Sequence, residues 1–253
     1  MYKRQEIVKV RVFYETGELK IERTMKADKI DGYYKEYYRS GQLKVETDYT
    51  DGKKHGRGFE YFEDSAKKFT GFYKNGEIDS VCRWYYPSGQ IKESSYWKEG
   101  RRAAEWVLFY PDGGISAYNF VNFSGQLVYW RNYDESGNNV KEGGNPIGSI
   151  VISPKNALLK IGESAIFDIY VARPPQTHID IYCIGNNGKR YEDSTLKNTD
   201  LDYMYRFEKQ FATEGEYQWQ LALMLTDLKS DSIETVLSAV SYTHLRAHET
   251  INH

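Results

Sequence analysis

The stretch Tyr37-Tyr38-Arg39-Ser40-Gly41-Gln42-Leu43-Lys44-Val45-Glu46 returns as Tyr85-Tyr86-Pro87-Ser88-Gly89-Gln90-Ile91-Lys92-Glu93, twice 24 residues further on. Outward from these two copies, Gly17, Gly41, Gly89, Gly113 and Gly137 lie at multiples of 24, with Ser65 in the skipped position. A second series, Gly52, Gly76 and Gly100, and a third, Gly32, Gly56, Ser80 and Ala104, keep the same spacing. Aromatic doublets follow it as Phe13-Tyr14, Tyr37-Tyr38, Tyr61-Phe62, Tyr85-Tyr86 and Phe109-Tyr110, and large residues as Met25, Tyr49, Tyr73, Trp97 and Val121. Several columns in one register exclude chance and mean copies of a single supersecondary unit.

Inside a copy, Leu43 to Tyr49 and Ile91 to Trp97 place larger residues at alternate positions, the period of a strand with one covered face. The unit therefore reads as a β-hairpin. Tight turns such as Arg39-Ser40-Gly41 and Pro87-Ser88-Gly89 put glycine where a hairpin needs positive φ. The alternate turns, Asp51-Gly52 to Gly56 and Asn75-Gly76 to Ser80, read as longer, lysine-rich connections. Composition agrees: among 253 residues there are 23 Tyr and 21 Gly but only 6 Pro, a balance suited to many strands and tight turns. The net charge of −2 argues against nonspecific nucleic-acid binding, and no apolar run approaches the roughly 18 residues of a membrane span.

The unit Tyr-Tyr-x-x-Gly-x-Leu-Lys-x-Glu, as in Tyr37 to Glu46 and, with Ile91 for leucine and the glutamate one place early, in Tyr85 to Glu93, resembles the MORN repeat in its bacterial antitoxin-component variant. The resemblance covers about residues 8–139 and implies an all-β fold, an elongated single-layer antiparallel sheet of hairpins. It also implies a scaffolding or partner-binding role without catalytic residues. About twelve strands at ~4.8 Å spacing predict a ribbon on the order of 55 Å long, each hairpin covered only by its neighbours. The third copy departs, with Ser65 and Lys67 for glycine and leucine, which predicts a bulged or loosened hairpin there; Asn139 in place of the aliphatic marks the end of the array.

The repeats are expected over residues 6–142, a linker over 143–148 and a second domain over 149–239. Gly143-Gly144-Asn145-Pro146 cannot extend a ladder, and the balance of charge changes there: residues 1–145 carry 24 basic and 22 acidic side chains, the remainder 10 and 14. Strands are predicted over 149–153, 165–172, 178–184, 203–211, 217–225 and 233–239, with a shorter one near 189–192. That density of short strands reads as an immunoglobulin-like β-sandwich, and the Gly215-Glu216-Tyr217 entry into a strand with Trp219 resembles the penultimate strand of bacterial modules of that type. Cys183 has no neighbouring cysteine for an inter-sheet disulfide. Met1 to Gln5 and Val240 to Thr250 resemble translated sequencing adapters, so the natural segment is read as a fragment over about 6–239. Its compartment is left open, with a bacterial cell-envelope or extracytoplasmic location favoured.

No catalytic, cofactor-binding or metal-binding residues are predicted. His244 and His248 stand at helical zinc spacing but fall in the adapter-like tail, while His55 and His178 belong to different halves. Cys82 and Cys183 lack any paired spacing, and no glycine-rich loop joins a strand to a helix. The candidate binding residues are aromatic: Tyr37, Tyr38, Tyr61, Tyr85, Tyr86, Trp97 and Tyr110. Neighbours in a strand point to opposite faces, so one column of each doublet must occupy the less covered face. A protein partner is expected for that aromatic and charged face, with a carbohydrate-binding or adhesive cell-surface protein as the alternative. Lysine-rich turns at Lys53, Lys54, Arg101 and Arg102 offer a weaker route to a membrane surface.

Overall fold

The structure, a computed structural model, describes residues 6–153, 158–160, 162–185, 190–191, 197–198, 204–210, 215–228 and 233–248. Among them there are strands and turns and no helix. The repeat region forms β1 (Ile7–Phe13), β2 (Leu19–Lys26), β3 (Lys29–Tyr37), β4 (Leu43–Thr50), β5 (Lys53–Tyr61), β6 (Lys67–Lys74), β7 (Glu77–Ile78), β8 (Ser80–Tyr85), β9 (Ile91–Lys98), β10 (Arg101–Phe109), β11 (Ile115–Val121), β12 (Leu127–Tyr133) and β13 (Asn139–Gly144). They make one 13-stranded sheet in sequence order, with β7 a short extension beside β6. The chain then continues through β14 (Ile147–Ser153), β15 (Leu158–Lys160), β16 (Ser164–Val171), β17 (Thr177–Gly185), β18 (Arg190–Tyr191), β19 (Lys197–Asn198), β20 (Met204–Gln210), β21 (Gly215–Asp227) and β22 (Ile233–His248). Two compact units result, Met1–Tyr118 with Asn132–Val140, and Asn119–Arg131 with Lys141–His253.

Two kinds of turn alternate through the first unit. In the first kind, the Tyr38 N–H donates to the Gln42 carbonyl (2.8 Å) and the Gly41 N–H to the Tyr38 carbonyl (3.0 Å). Gly41 sits at φ +87°. This is the three-residue hairpin loop that closes with a left-handed residue. The same pair of bonds recurs at Tyr14, Phe62, Tyr86, Tyr110 and Asp134. The third copy is therefore not loosened. Ser65 takes the glycine's place at φ +69° and keeps both bonds, because the flanking ladders hold the turn in register.

The second kind of turn corrects the sequence reading. Asp51 and Gly52, at φ +50° and +83°, close a two-residue loop, as do Asn75-Gly76 and Glu99-Gly100. Positive φ at both positions is the turn that suits the strand twist. The glycines four residues further on belong to bulges instead. Thr47 pairs with Gly58 and Tyr49 with Lys54, so residues 55–57 oppose Asp48 alone. The middle residue of each such bulge is left-handed: Gly32, Gly56, Ser80 and Ala104. The period fails at the hairpin joining β11 and β12, where Asn122 to Gln126 form a three-residue loop around Gly125 in place of a two-residue one.

In the second unit, β14-β16-β20-β19 form one sheet and β15-β22-β21-β17-β18 another. Strand β16 alternates buried with half-buried residues, Ala165, Phe167, Ile169 and Val171 facing in. Met204 and Phe207 of β20, Ile179 and Ile181 of β17, and Leu223 and Leu225 of β21 are buried as well. Each sheet thus has one apolar covered side, which the alternating patterns dictate. β15 runs parallel to β22, and the remaining pairings recorded in these two sheets are antiparallel. Also in this unit, Arg131 is fully buried and meets Glu142 Oε2 at 2.5 Å and the Tyr129 hydroxyl at 2.6 Å. Between β13 and β14 lie Asn145 and Pro146, and β22 extends through part of the adapter-like tail to His248; Met1 to Gln5 fall outside the described residues.

Candidate functional site

Pairing across the ladder assigns each side chain of the repeat sheet to a face, because partners share a side and alternate residues return to it. One face packs rings. Tyr34 lies 5.8 Å from Tyr49, Phe69 lies 6.5 Å from Tyr73 and 5.0 Å from Trp84, and Trp84 lies 6.4 Å from Trp97. The rings cover glycines whose backbones they approach closely: a Cβ on Gly58 would sit 2.4 Å from the Tyr73 ring, and one on Gly71 2.6 Å from Phe69 and 2.8 Å from Cys82 Sγ. Burial raises the Tyr73 hydroxyl to about 12 and the Cys82 thiol to about 11. Trp97 is committed here. Its indole N–H donates to Ser95 Oγ (2.8 Å), and the Arg102 guanidinium lies over its ring at 5.2 Å while binding Glu93 Oε1 at 2.6 Å.

The opposite face carries one continuous row of partners: Arg11, Glu22, Lys35, Glu46, Phe59, Thr70, Arg83, Ser94 and Val107. At its start the charges satisfy one another. Glu22 accepts from Lys9 (2.9 Å), Arg11 (2.8 Å) and the Tyr33 hydroxyl (3.1 Å), and Lys35 meets Glu46 at 3.0 Å. The hydrogen bonds from Lys9 and Arg11 hold the Glu22 carboxyl down at about 2. Further along, carboxylates give way to rings and hydroxyls. Phe72 and Val81 remain 39% and 41% exposed. The Phe59 and Tyr61 rings stack at 6.5 Å, and the Tyr85 hydroxyl lies 3.3 Å from Thr70 Oγ1.

The seven aromatic candidates therefore fall into three places. Tyr37, Tyr61 and Tyr85 share the charged face, one per copy, by parity with Lys35, Phe59 and Arg83. Trp97 belongs to the ring-packed face. Tyr38, Tyr86 and Tyr110 stand at strand ends, where their hydroxyls donate to the carbonyls of Tyr61, Phe109 and Tyr133 at 2.7–2.8 Å. Tyr14 does the same to Tyr37 at 2.8 Å. These second members of the doublets are structural rivets between successive copies, and lysines cover them: Lys20, Lys44 and Lys92 lie 5.3–5.8 Å from the rings of Tyr14, Tyr38 and Tyr86.

Residues missed by sequence reasoning are Phe72, Val81, Arg57 and Arg83. The signal was available in the repeat: each occupies a column whose chemistry changes from copy to copy. Of the basic turn residues, Lys54 folds over the Tyr73 ring at 4.8 Å and Arg102 over Trp106 at 4.0 Å, so neither reaches freely outward. His55 lies 6.5 Å from Phe72, and His178, in the other unit, 3.3 Å from Asp180. Among the described residues no group of three metal-ligating side chains converges, and no helix is long and apolar enough to cross a membrane. No curated protein matches the chain. Residues 30–51 and 78–99, the hairpins of β3–β4 and β8–β9, match the MORN repeat variant, and the hairpins around them keep the same period and turns, so the sheet as a whole is consistent with repeats of that kind.

Proposed function

We propose that the protein is a noncatalytic repeat scaffold whose charged, tyrosine-bearing sheet face binds another protein. The observation that carries this reading is the column Tyr37, Tyr61 and Tyr85 on one face, in line with the exposed Phe72 and Val81. Partly covered rings with polar tips on a rigid sheet are the side chains that anchor protein interfaces, since little rotamer entropy is lost on contact. Similarity to MORN repeats supports a scaffold, as such repeats commonly bind proteins or membranes. The second unit serves as spacer or second contact and is read as immunoglobulin-like. In support, β14-β16-β20-β19 and β17-β21-β22 reproduce the order in which such a fold joins its first, second, fifth and fourth strands, and its third, sixth and seventh.

Panning a random peptide library on the whole protein tests the reading. Enriched peptides are expected to bind at least about tenfold more weakly to a Tyr61→Ala/Tyr85→Ala variant that keeps its β circular-dichroism spectrum. A glycan-array signal lost in the same variant, with no peptide enriched, overturns it in favour of sugar binding.

A further inference from the structure

The charged face is not uniform, and its change of character follows the repeat. The column Glu22, Glu46, Thr70, Ser94 exchanges carboxylates for hydroxyls between the second and third copies. In the first half every carboxylate of that column has a cationic partner, Lys9 and Arg11 for Glu22 and Lys35 for Glu46. In the second half the cations stay while the acids leave. Arg83 pairs with Thr70 on one side and Ser94 on the other, and Arg57 with Phe72. Both arginines are exposed, and among the described residues neither makes an ion pair.

We infer that the strip of this face from β5 to β9 binds an acidic, partly apolar peptide segment of a partner, its carboxylates on Arg57 and Arg83 and its apolar side chains on Phe72 and Val81. The inference rests on the protein-binding reading above and names the chemistry of the partner. Guanidinium groups with no internal carboxylate keep their fork of donors open, which favours carboxylate ligands over neutral ones. The strip is four strands across, about 15 Å, wide enough for one extended chain. A bilayer fits less well, because a plane laid on this face also covers the carboxylates of Glu22, Glu46 and Asp48 beside the strip.

The test uses the full chain and three fluorescent probes: a ten-residue Glu-Leu alternating peptide, its Gln-Leu counterpart, and vesicles of phosphatidylcholine with phosphatidylserine. The Glu-Leu peptide is expected to bind at least tenfold more tightly than Gln-Leu and to weaken as salt rises. In an Arg57→Gln/Arg83→Gln variant that advantage is expected to vanish, while Lys9→Gln on the paired half leaves binding within twofold. Equal binding of both peptides, lost on Phe72→Ser, overturns the acidic preference and leaves the protein-binding face standing. Recruitment to vesicles without peptide binding overturns it in favour of a membrane. Silence of every probe, while panned peptides still bind the tyrosine column, overturns it alone; silence of both overturns the broader reading too.

Discussion

The hairpin of β5 and β6 and its two flanking hairpins, β3–β4 and β8–β9, differ at three repeat-defining positions and share one backbone. Phe62 stands for Tyr38 and Tyr86, Ser65 for Gly41 and Gly89, and Lys67 for Leu43 and Ile91. Yet the closing bonds of the turn are 2.8 and 2.9 Å in the divergent copy and 2.8–3.0 Å in the regular ones. Local sequence proposes the turn; the ladders on either side impose it. The difference is paid in stability rather than in shape. Ser65 is held at positive φ, which a side chain disfavours, and Phe62 lacks the hydroxyl that would reach the Tyr85 carbonyl.

Restoring the repeat pattern residue by residue in the divergent copy should recover stability, with one exception that carries the largest effect. Thr47 and Ser95 occupy the column position that is Gly71 in the divergent copy. Gly71→Ser is nevertheless expected to destabilise by about 1–3 kcal/mol in urea unfolding, because its Cβ meets the buried Phe69 and Cys82. An unchanged midpoint would mean that the ring-packed face is looser than its contacts imply. Next comes the rivet. Tyr38→Phe is expected to lose about 0.5–1.5 kcal/mol, and Phe62→Tyr to gain a similar amount by donating to Tyr85. If both variants unfold at the wild-type midpoint, the hydroxyl bonds contribute nothing.

Ser65→Gly is expected to gain only about 0.5 kcal/mol, since relief of the left-handed strain is partly offset by the freer unfolded chain. A loss there would show that Ser65 does more than occupy a glycine's site. The smallest effect is on acid stability. Glu22 has its pKa lowered from 4.5 to about 2 in the folded protein, so its contribution is complete above about pH 4.5 and disappears as the pH falls towards 2. Glu22→Gln is expected to flatten the denaturation midpoint across that window, whereas Thr70→Ala, in the same column, leaves the slope as it was.

The period, the hairpins and the loop glycines were legible in the sequence because a left-handed residue every 24 positions leaves a visible column. The bulges were not. Gly56 and Ser80 share positive φ with turn residues, and composition cannot distinguish a strand interrupted by three residues from a loop lengthened by four. The candidate face was half legible. Alternation separates Tyr37 from Tyr38, but only the register shows that Tyr38 spends its hydroxyl on a neighbouring copy and that Trp97 faces the other way. Phe72 and Arg83 stayed hidden because a search for repeated residues passes over the positions where copies differ.

Each tyrosine rivet reaches forward 23 residues, from the second member of one doublet to the residue at the first doublet position of the next copy. Such a fastener joins any copy to whichever copy follows. Excising or duplicating a stretch of 24 residues, or a whole multiple of it, therefore returns each tyrosine hydroxyl to a carbonyl, while other lengths strand both. The gene can grow or shrink in whole modules without redesigning its joints, and the length of the array is free to be tuned to whatever it must span.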